Sequence, residues 1–269
     1  MYSLTYIKPD SIDKAASLLA ESDEHKVVSG GMTLLPTLKQ RLARVEKLIG
    51  LEDCGLNNIA LNSGILTIGA MASHYDVSNS ADINAKNPAL VELASHIGDR
   101  QVRNRGTIGG SLANNDPSAC YPAAVMALKG TILTTKREIE AEEFFVDLFE
   151  TYLEEDEIIK SVSLLIPEAA AYEKFPNPAS RYAMVGVFVA KFPSEIRVAV
   201  TGAGENGVYR CSEIEHALSN SFSADSLSDI TLSAEGLMSD IHAEADYRAH
   251  LIVEMARRAV NKASSRWSL

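Results

Sequence analysis

The sequence predicts an α+β protein in two consecutive parts, residues 1–168 and 169–269, the first part itself dividing near residue 52. Three observations carry this. The first fifty residues alternate strand, helix and strand around a Gly-Gly turn. A second block of short apolar runs and helices follows, closed by Pro167. Beyond it the texture changes to a β-meander and then to helices. A chain of 269 residues is comfortable for two domains and can bury a sizeable core.

Taken in order, Ser11 is placed to cap a helix over 11–22, with Ile12, Ala15, Ala16, Leu18 and Leu19 on one apolar stripe. "KVVSGGMTLLPTLKQRL" runs from a short strand through Gly30-Gly31 into an amphipathic segment, and "KLIGL" is another strand. "ILTIGAMASHYDVSNS" reads as a strand, a glycine bend and a helix starting near Ser73. "NPALVELASHIG" is helical, and "DPSACYPAAVMALKG" is a capped helix ending at Gly130. "TILTT", "REIEAEEFF" and "EIIKSVSLLIP" read as strands around an acidic loop. Pro167, Pro176, Pro178 and Pro193 mark a crossing into the second part. There "RYAMVGVFVAKF" and "EIRVAVTGAGENGVYRC" form the meander, with "ENG" as a hairpin turn. "SEIEHALSN", "SADSLSDITLSAEGLM" and "DYRAHLIVEMARRAVNKA" read as helices.

A net charge of −11 argues against a nucleic-acid or anionic-membrane surface. No apolar run reaches the length of a membrane span, and the N-terminus lacks the basic and apolar regions of a signal peptide. Cys54, Cys120 and Cys211 are far apart, odd in number and form no CxxC pair. That fits a reducing, cytoplasmic setting and argues against a zinc site or iron–sulfur cluster ligated within this chain.

Two short runs carry the chemistry, "SGGMT" from Ser29 to Thr33 and "TIGGS" from Thr107 to Ser111. Each sets a Gly-Gly pair between hydroxyl residues. Glycine tolerates positive φ and allows close approach, so successive N–H groups can converge on one phosphate oxygen. Either run alone also reads as a plain turn. Two such runs facing each other could hold both phosphates of a dinucleotide. Neither matches GxGxxG with an acidic residue about twenty positions on, and neither is a P-loop. A nicotinamide site of that type and an ATPase site are therefore disfavoured.

"VVSGGMTLLPTLKQRLARVEKLIGL" and "HIGDRQVRNRGTIGGSLANNDPSACYPAA" resemble the two FAD loops of the molybdenum hydroxylase flavoprotein subunits. This is the family of the carbon monoxide dehydrogenase medium subunit and the xanthine dehydrogenase FAD domain. "IGAMASHYDV" and "YEKFPNPASRYAMVGV" extend the resemblance over essentially the whole chain, in family order. It implies the FAD-binding fold of vanillyl-alcohol oxidase and the enolpyruvyl reductase. Two α/β subdomains would clasp FAD, and a C-terminal subdomain would add a small antiparallel sheet and helices. Ser29, Gly30, Gly31, Met32 and Thr33, with Thr107, Ile108, Gly109, Gly110 and Ser111, would cradle the pyrophosphate through main-chain N–H groups, and Val28 and Leu34 would flank the first run in the cofactor site. Ile97 would lie near the isoalloxazine, Ile159 would make a main-chain contact, and Lys174 would reach the cofactor. Read without the family, Ile97 and Ile159 are core residues and Lys174 a solvated charge. Many relatives carry an Asp on the ribityl chain where this chain has Cys120, here a cofactor-lining residue with no redox role. Either Asp116 substitutes as acceptor or that contact is lost, and Asp116 also reads as a cap before Pro117, a role compatible with the first. Arg103 and Arg105 resemble the family's basic pair, which would balance FAD phosphate charge or face a neighbouring subunit; read without the family, they pair with acids such as Asp99. Tyr75 and Tyr121 are flavin-stacking aromatics or core residues.

The implied enzyme has three parts, assembled as a dimer of heterotrimers. A large molybdopterin subunit oxidises the substrate, and a small [2Fe-2S] subunit relays electrons. This chain would collect them on FAD and hand them to NAD, quinone or oxygen. The chain shows no Ser-His-Asp set, nucleophile elbow or carboxylate pair, which suits electron transfer. A freestanding FAD-dependent oxidoreductase and a non-catalytic nucleotide-binding module stay open beside it.

Overall fold

The computed structural model describes residues 1–266. The first fifty residues form a three-stranded parallel sheet, Thr5–Ile7 next to Lys47–Gly50 next to His25–Val28. Ser11 caps the connecting helix Ile12–Leu19 by accepting from the Lys14 N–H, and Ala15 and Leu19 bury its apolar stripe. The second block is built on a five-stranded antiparallel sheet, ordered Ile59–Asn62, Ile65–Gly69, Ile159–Leu165, Thr131–Thr134 and Glu138–Glu140. Six short helices between Ile65–Gly69 and Thr131–Thr134 cover it. Ser73 and Asp76 form a reciprocal capping box at the start of His74–Asn79.

The last part is a four-stranded antiparallel meander, Ala169–Pro176, Ala183–Lys191, Ile196–Gly204 and Gly207–Arg210. Its strands are apolar on both faces because both faces are covered. Ala170, Tyr172, Phe188, Ala190 and Ala199 point into the core of the second block. The alternate residues Ala171, Val185, Val187, Val189, Val198 and Val200 pack against Ser212–Asn220 and the long helix Ala245–Arg266. The period-2 alternation of strands thus divides one sheet between two cores. Buried Arg197 joins the parts again, bonding the Met126 carbonyl and the Glu142 carboxylate.

Five expectations change, one of them within "REIEAEEFF", where the strand Glu138–Glu140 gives way to a helical turn, Ala141–Phe144. The run Thr107–Ser111 is not a turn: Thr107 caps the helix Ile108–Asn114, and both glycines lie in its first turn. The proline-bearing segment after Pro167 is already the first strand of the meander, Ala169–Pro176. The helix expected to end at Gly130 stops at Ala127, and its left-handed residue is Lys129 (φ 52°), with the Gly130 N–H returning to the Val125 carbonyl. The span 223–238 holds one 3-10 turn, Ala224–Leu227, and is otherwise irregular. Among the described residues no helix is long and apolar enough to cross a membrane.

Candidate functional site

The first glycine run leaves the His25–Val28 strand and enters the helix Leu34–Lys39. Gly31 sits at φ +71°, a conformation open to glycine and strained for other residues. Gly30 is glycine for another reason: a Cβ there would overlap the Arg105 carbonyl and the Gly106 Cα. Among the described residues, the turn and the helix start leave the N–H groups of Gly30, Gly31, Met32, Thr33 and Leu34 without a backbone acceptor.

The second run packs directly against it. The Ser29 and Thr107 hydroxyls are hydrogen-bonded to each other across 78 residues of sequence. Thr107 Oγ1 also accepts from the Gly110 N–H at 3.1 Å. Here the main-chain donors are mostly used inside the protein. The Ile108 N–H goes to the Ala72 carbonyl (3.1 Å), the Gly109 N–H to Ala70 (2.9 Å) and the Ser111 N–H to Thr107 (3.0 Å). Gly109 lacks a side chain because one would press on Ala70, its oxygen 2.7 Å away. Gly110 is the open one: a Cβ would meet only Thr107 Oγ1 at 3.0 Å and the Ser29 side chain at 3.6 Å.

Between these runs lies a cavity of about 850 Å³, near the upper end of the roughly 300–1,000 Å³ of ligand pockets. Val28 to Leu34 line it, as do Thr107, Gly109, Gly110, Ser111, Ile97, Asp116, Cys120, Ile159 and Lys174. Ile108 does not: its side chain is fully buried in the core. The Lys174 ammonium donates to the His96 carbonyl (2.7 Å), the Arg181 carbonyl (3.0 Å) and Cys120 Sγ (3.5 Å). It is a half-buried tie across the cavity rim rather than a solvated charge. Asp116 accepts from the Ser118 N–H at 2.9 Å, closing a turn, and burial pushes its carboxyl up. Arg103 forms no pair with Asp99; its guanidinium holds the Ile97 and Gly98 carbonyls at 3.0 and 3.1 Å, while Asp99 caps the helix Arg100–Arg105.

His74 also lines the cavity and packs against fully buried Tyr121, the ring centroids 5.3 Å apart and the planes tilted by 50°. Burial, and secondarily the Arg103 charge, lowers its pKa from 6.5 to about 4, so the ring is neutral near pH 7. Tyr75 is half-exposed and outside the cavity wall. Reading the sequence missed His74, Met71, Phe149, Leu153, Arg181 and Tyr182 as wall residues. They come from elements far apart in the chain, and no local pattern marks them. His74 alone had a cue, its place directly after the Ser73 cap.

Residues 2–168 match the family described as the FAD binding domain in molybdopterin dehydrogenase. The chain belongs to this family. It is 32% identical to the nicotine 6-hydroxylase medium subunit of Paenarthrobacter nicotinovorans, over 98% of both chains. It is 31% identical to the carbon monoxide dehydrogenase medium chain of Hydrogenophaga pseudoflava, over 97% of both. The quinoline 2-oxidoreductase structure from Pseudomonas putida 86 superposes with a TM-score of 0.89 at 26% identity, covering 100% of this chain and 99% of that one. The molecule is an FAD-binding medium subunit of the molybdenum hydroxylase family, and so a component of an oxidoreductase.

The cavity residues fit FAD. The Gly110 face is a cradle that a Cβ would begin to fill, and the donors of the first run point to an anion beside it.

Proposed function

We propose that this chain takes electrons from the [2Fe-2S] clusters of a small partner subunit onto FAD and passes them to an external acceptor. A large molybdopterin subunit would complete the enzyme, assembled as a dimer of heterotrimers in the cytoplasm. The observation that carries the reading is the pairing of Ser29 with Thr107, which sets two glycine runs on one cavity. FAD, when bound, supplies a centre that takes electrons one at a time and releases a pair.

The chain's own residues do the rest. The N–H groups of Gly30 to Leu34 bind the pyrophosphate, each hydrogen bond to a charged oxygen being worth about 1.5–3 kcal/mol. Gly110 and Ser111 complete the cradle from the other side, and Gly109 keeps the helix tight on Ala70. Lys174 fixes the rim by binding the turn at His96 and the loop at Arg181, and it brings positive charge to that end. Ile97 and Ile159 bound the cavity with apolar surface, and Cys120 lines it beside Lys174. Asp116 is held as a turn-former that also faces the cavity. His74, neutral near pH 7, adds no charge. Residues 1–168, as subdomains of about 1–52 and 53–168, serve as the FAD-binding domain, with 169–269 as the C-terminal subdomain.

The test is to purify the chain with and without its partners, record the visible spectrum, and identify the released chromophore. FAD that bleaches when the partners' substrate is added supports the reading. A chain that carries FAD yet stays oxidised in the complete assembly overturns the electron route. A chain that never binds FAD overturns the site.

A further inference from the structure

The segment after the helix Ala141–Phe144 is a small two-stranded hairpin, Phe145–Asp147 with Glu150–Thr151. It carries apolar side chains into solvent: Val146 is 47% exposed and Leu148 37%, while Phe149 (61%) borders the chamber and Tyr152 (54%) lies under the Arg137 guanidinium. Phe145 packs inward on the core, so its neighbour Val146 faces out. Around this patch stand the exposed acids Glu143, Asp147, Glu150 and Glu155.

The hairpin is also locked to the cofactor cavity. The side-chain amide of Asn115 donates to the Asp147 and Glu150 carbonyls, both at 2.8 Å, and the Asn115 main-chain carbonyl accepts from the Phe149 N–H at 3.0 Å. Asn115 is the residue directly after the helix that carries Gly110. Phe149, Thr151 and Leu153 form part of the cavity wall itself. A partner seated on the outer face of this hairpin would therefore sit one layer of side chains from the chamber.

We propose that the 145–152 hairpin is the docking platform for the electron-delivering iron–sulfur partner, whose contact face sets an apolar centre within a rim of Lys and Arg. The proposal rests on the electron route above and adds the surface where it enters. Charge selects the occupant. A second copy of this chain would place the same carboxylates against each other across a two-fold axis, and an anionic lipid surface would be repelled by them. An apolar centre with a charged rim is the anatomy of a protein–protein contact, and Val146 and Leu148 form that centre here.

The experiment uses the complete assembly, co-expressed with its partners. The double variant Val146→Lys/Leu148→Lys leaves the cavity residues untouched. It is expected to keep its FAD content and melting temperature while iron–sulfur partner recovered per chain falls at least about tenfold, the loss of one or two anchors. Ile241→Lys, at a side chain 95% exposed elsewhere, keeps the complex and serves as the control. Glu150→Lys alone weakens retention of that partner at low salt, and the difference from wild type shrinks as salt screens it; it decides the case if the double variant misfolds. Unchanged retention in the readable variant overturns the proposal. So does selective loss of the large subunit or of self-association. Absence of FAD from the wild-type assembly, or FAD that stays oxidised, sinks the electron route instead, and is read from the spectrum rather than from the bound polypeptides.

Discussion

A methyl group added at Gly30 and one added at Gly110 meet different surroundings. At Gly30 it meets backbone, the Arg105 carbonyl and Gly106 Cα, which cannot swing aside. Gly30→Ala should lose about 1–3 kcal/mol of stability by overpacking, together with the cofactor. At Gly110 it meets a threonine hydroxyl at 3.0 Å and otherwise points toward the chamber. Gly110→Val should keep a melting temperature close to wild type yet bind FAD at least about tenfold more weakly, a loss of roughly 1.4 kcal/mol. Thermal melts beside FAD titrations separate the two. If Gly110→Val binds FAD as wild type does, the cradle is misplaced. His74 offers a second test at this scale. Its folded pKa of about 4 lies below its ordinary 6.5, so only the unfolded chain takes up a proton between those values. Stability is unaffected above pH 6.5 and falls as pH drops from 6.5 toward 4, by up to about 3 kcal/mol from this group. Asp76 and Arg103 are the charged neighbours on the elements around the His74–Tyr121 pair. His74→Phe keeps the ring against Tyr121 and does not titrate. Its denaturation midpoint should fall less than the wild-type midpoint over that window; equal declines would show the ring is solvated.

At the level of elements, the helix Ile108–Asn114 and the acidic hairpin are held together by Asn115. That residue sits at φ 40°, ψ 48°, left-handed, and spends its amide on two hairpin carbonyls. Asn115→Gly removes those two bonds without backbone strain and should cost about 2 kcal/mol. Asn115→Ala adds the left-handed penalty, roughly 1–2 kcal/mol more. Urea midpoints at constant slope measure the difference; equal costs would mean the helix end relaxes on substitution. This junction also shows what could be read beforehand. Helix starts were legible where a hydroxyl caps them, at Ser11 and Ser73. The Gly110 helix was not, because a Gly-Gly pair argues against helix. Burial of Ile108 and Leu112 and the Thr107 cap override it. The reverse happened over 223–238, which reads as a helix in the sequence. There Ser223 caps only the short 3-10 turn Ala224–Leu227, the Ser233 side chain takes the Glu235 N–H for itself, and no longer helix forms.

For the whole molecule, the decisive fact is that no single part encloses the chamber. Its wall takes Leu19 and Val28 to Leu34 from the parallel sheet and its helices. It takes Thr107 to Ser111 and Ile159 from the second block, and Lys174 and Arg181 from the meander. The glycine runs were readable because their chemistry is local. The rim was not, since Lys174 acquires its role only when the meander brings it to His96 and Cys120. The meander shares its two faces between cores, so the parts are already coupled before any ligand arrives. FAD contacting all three should couple them further. Free FAD at about a hundred times its dissociation constant should add roughly 2.7 kcal/mol by mass action, provided the unfolded chain does not bind it. Calorimetry of apo and reconstituted chain checks this: the transition should move up with FAD concentration, and the Lys174→Met variant should move less at the same concentration. A transition that ignores saturating FAD, in a chain whose spectrum shows FAD bound, would mean the cofactor rests on one part alone and the chamber is not the clasp its walls describe.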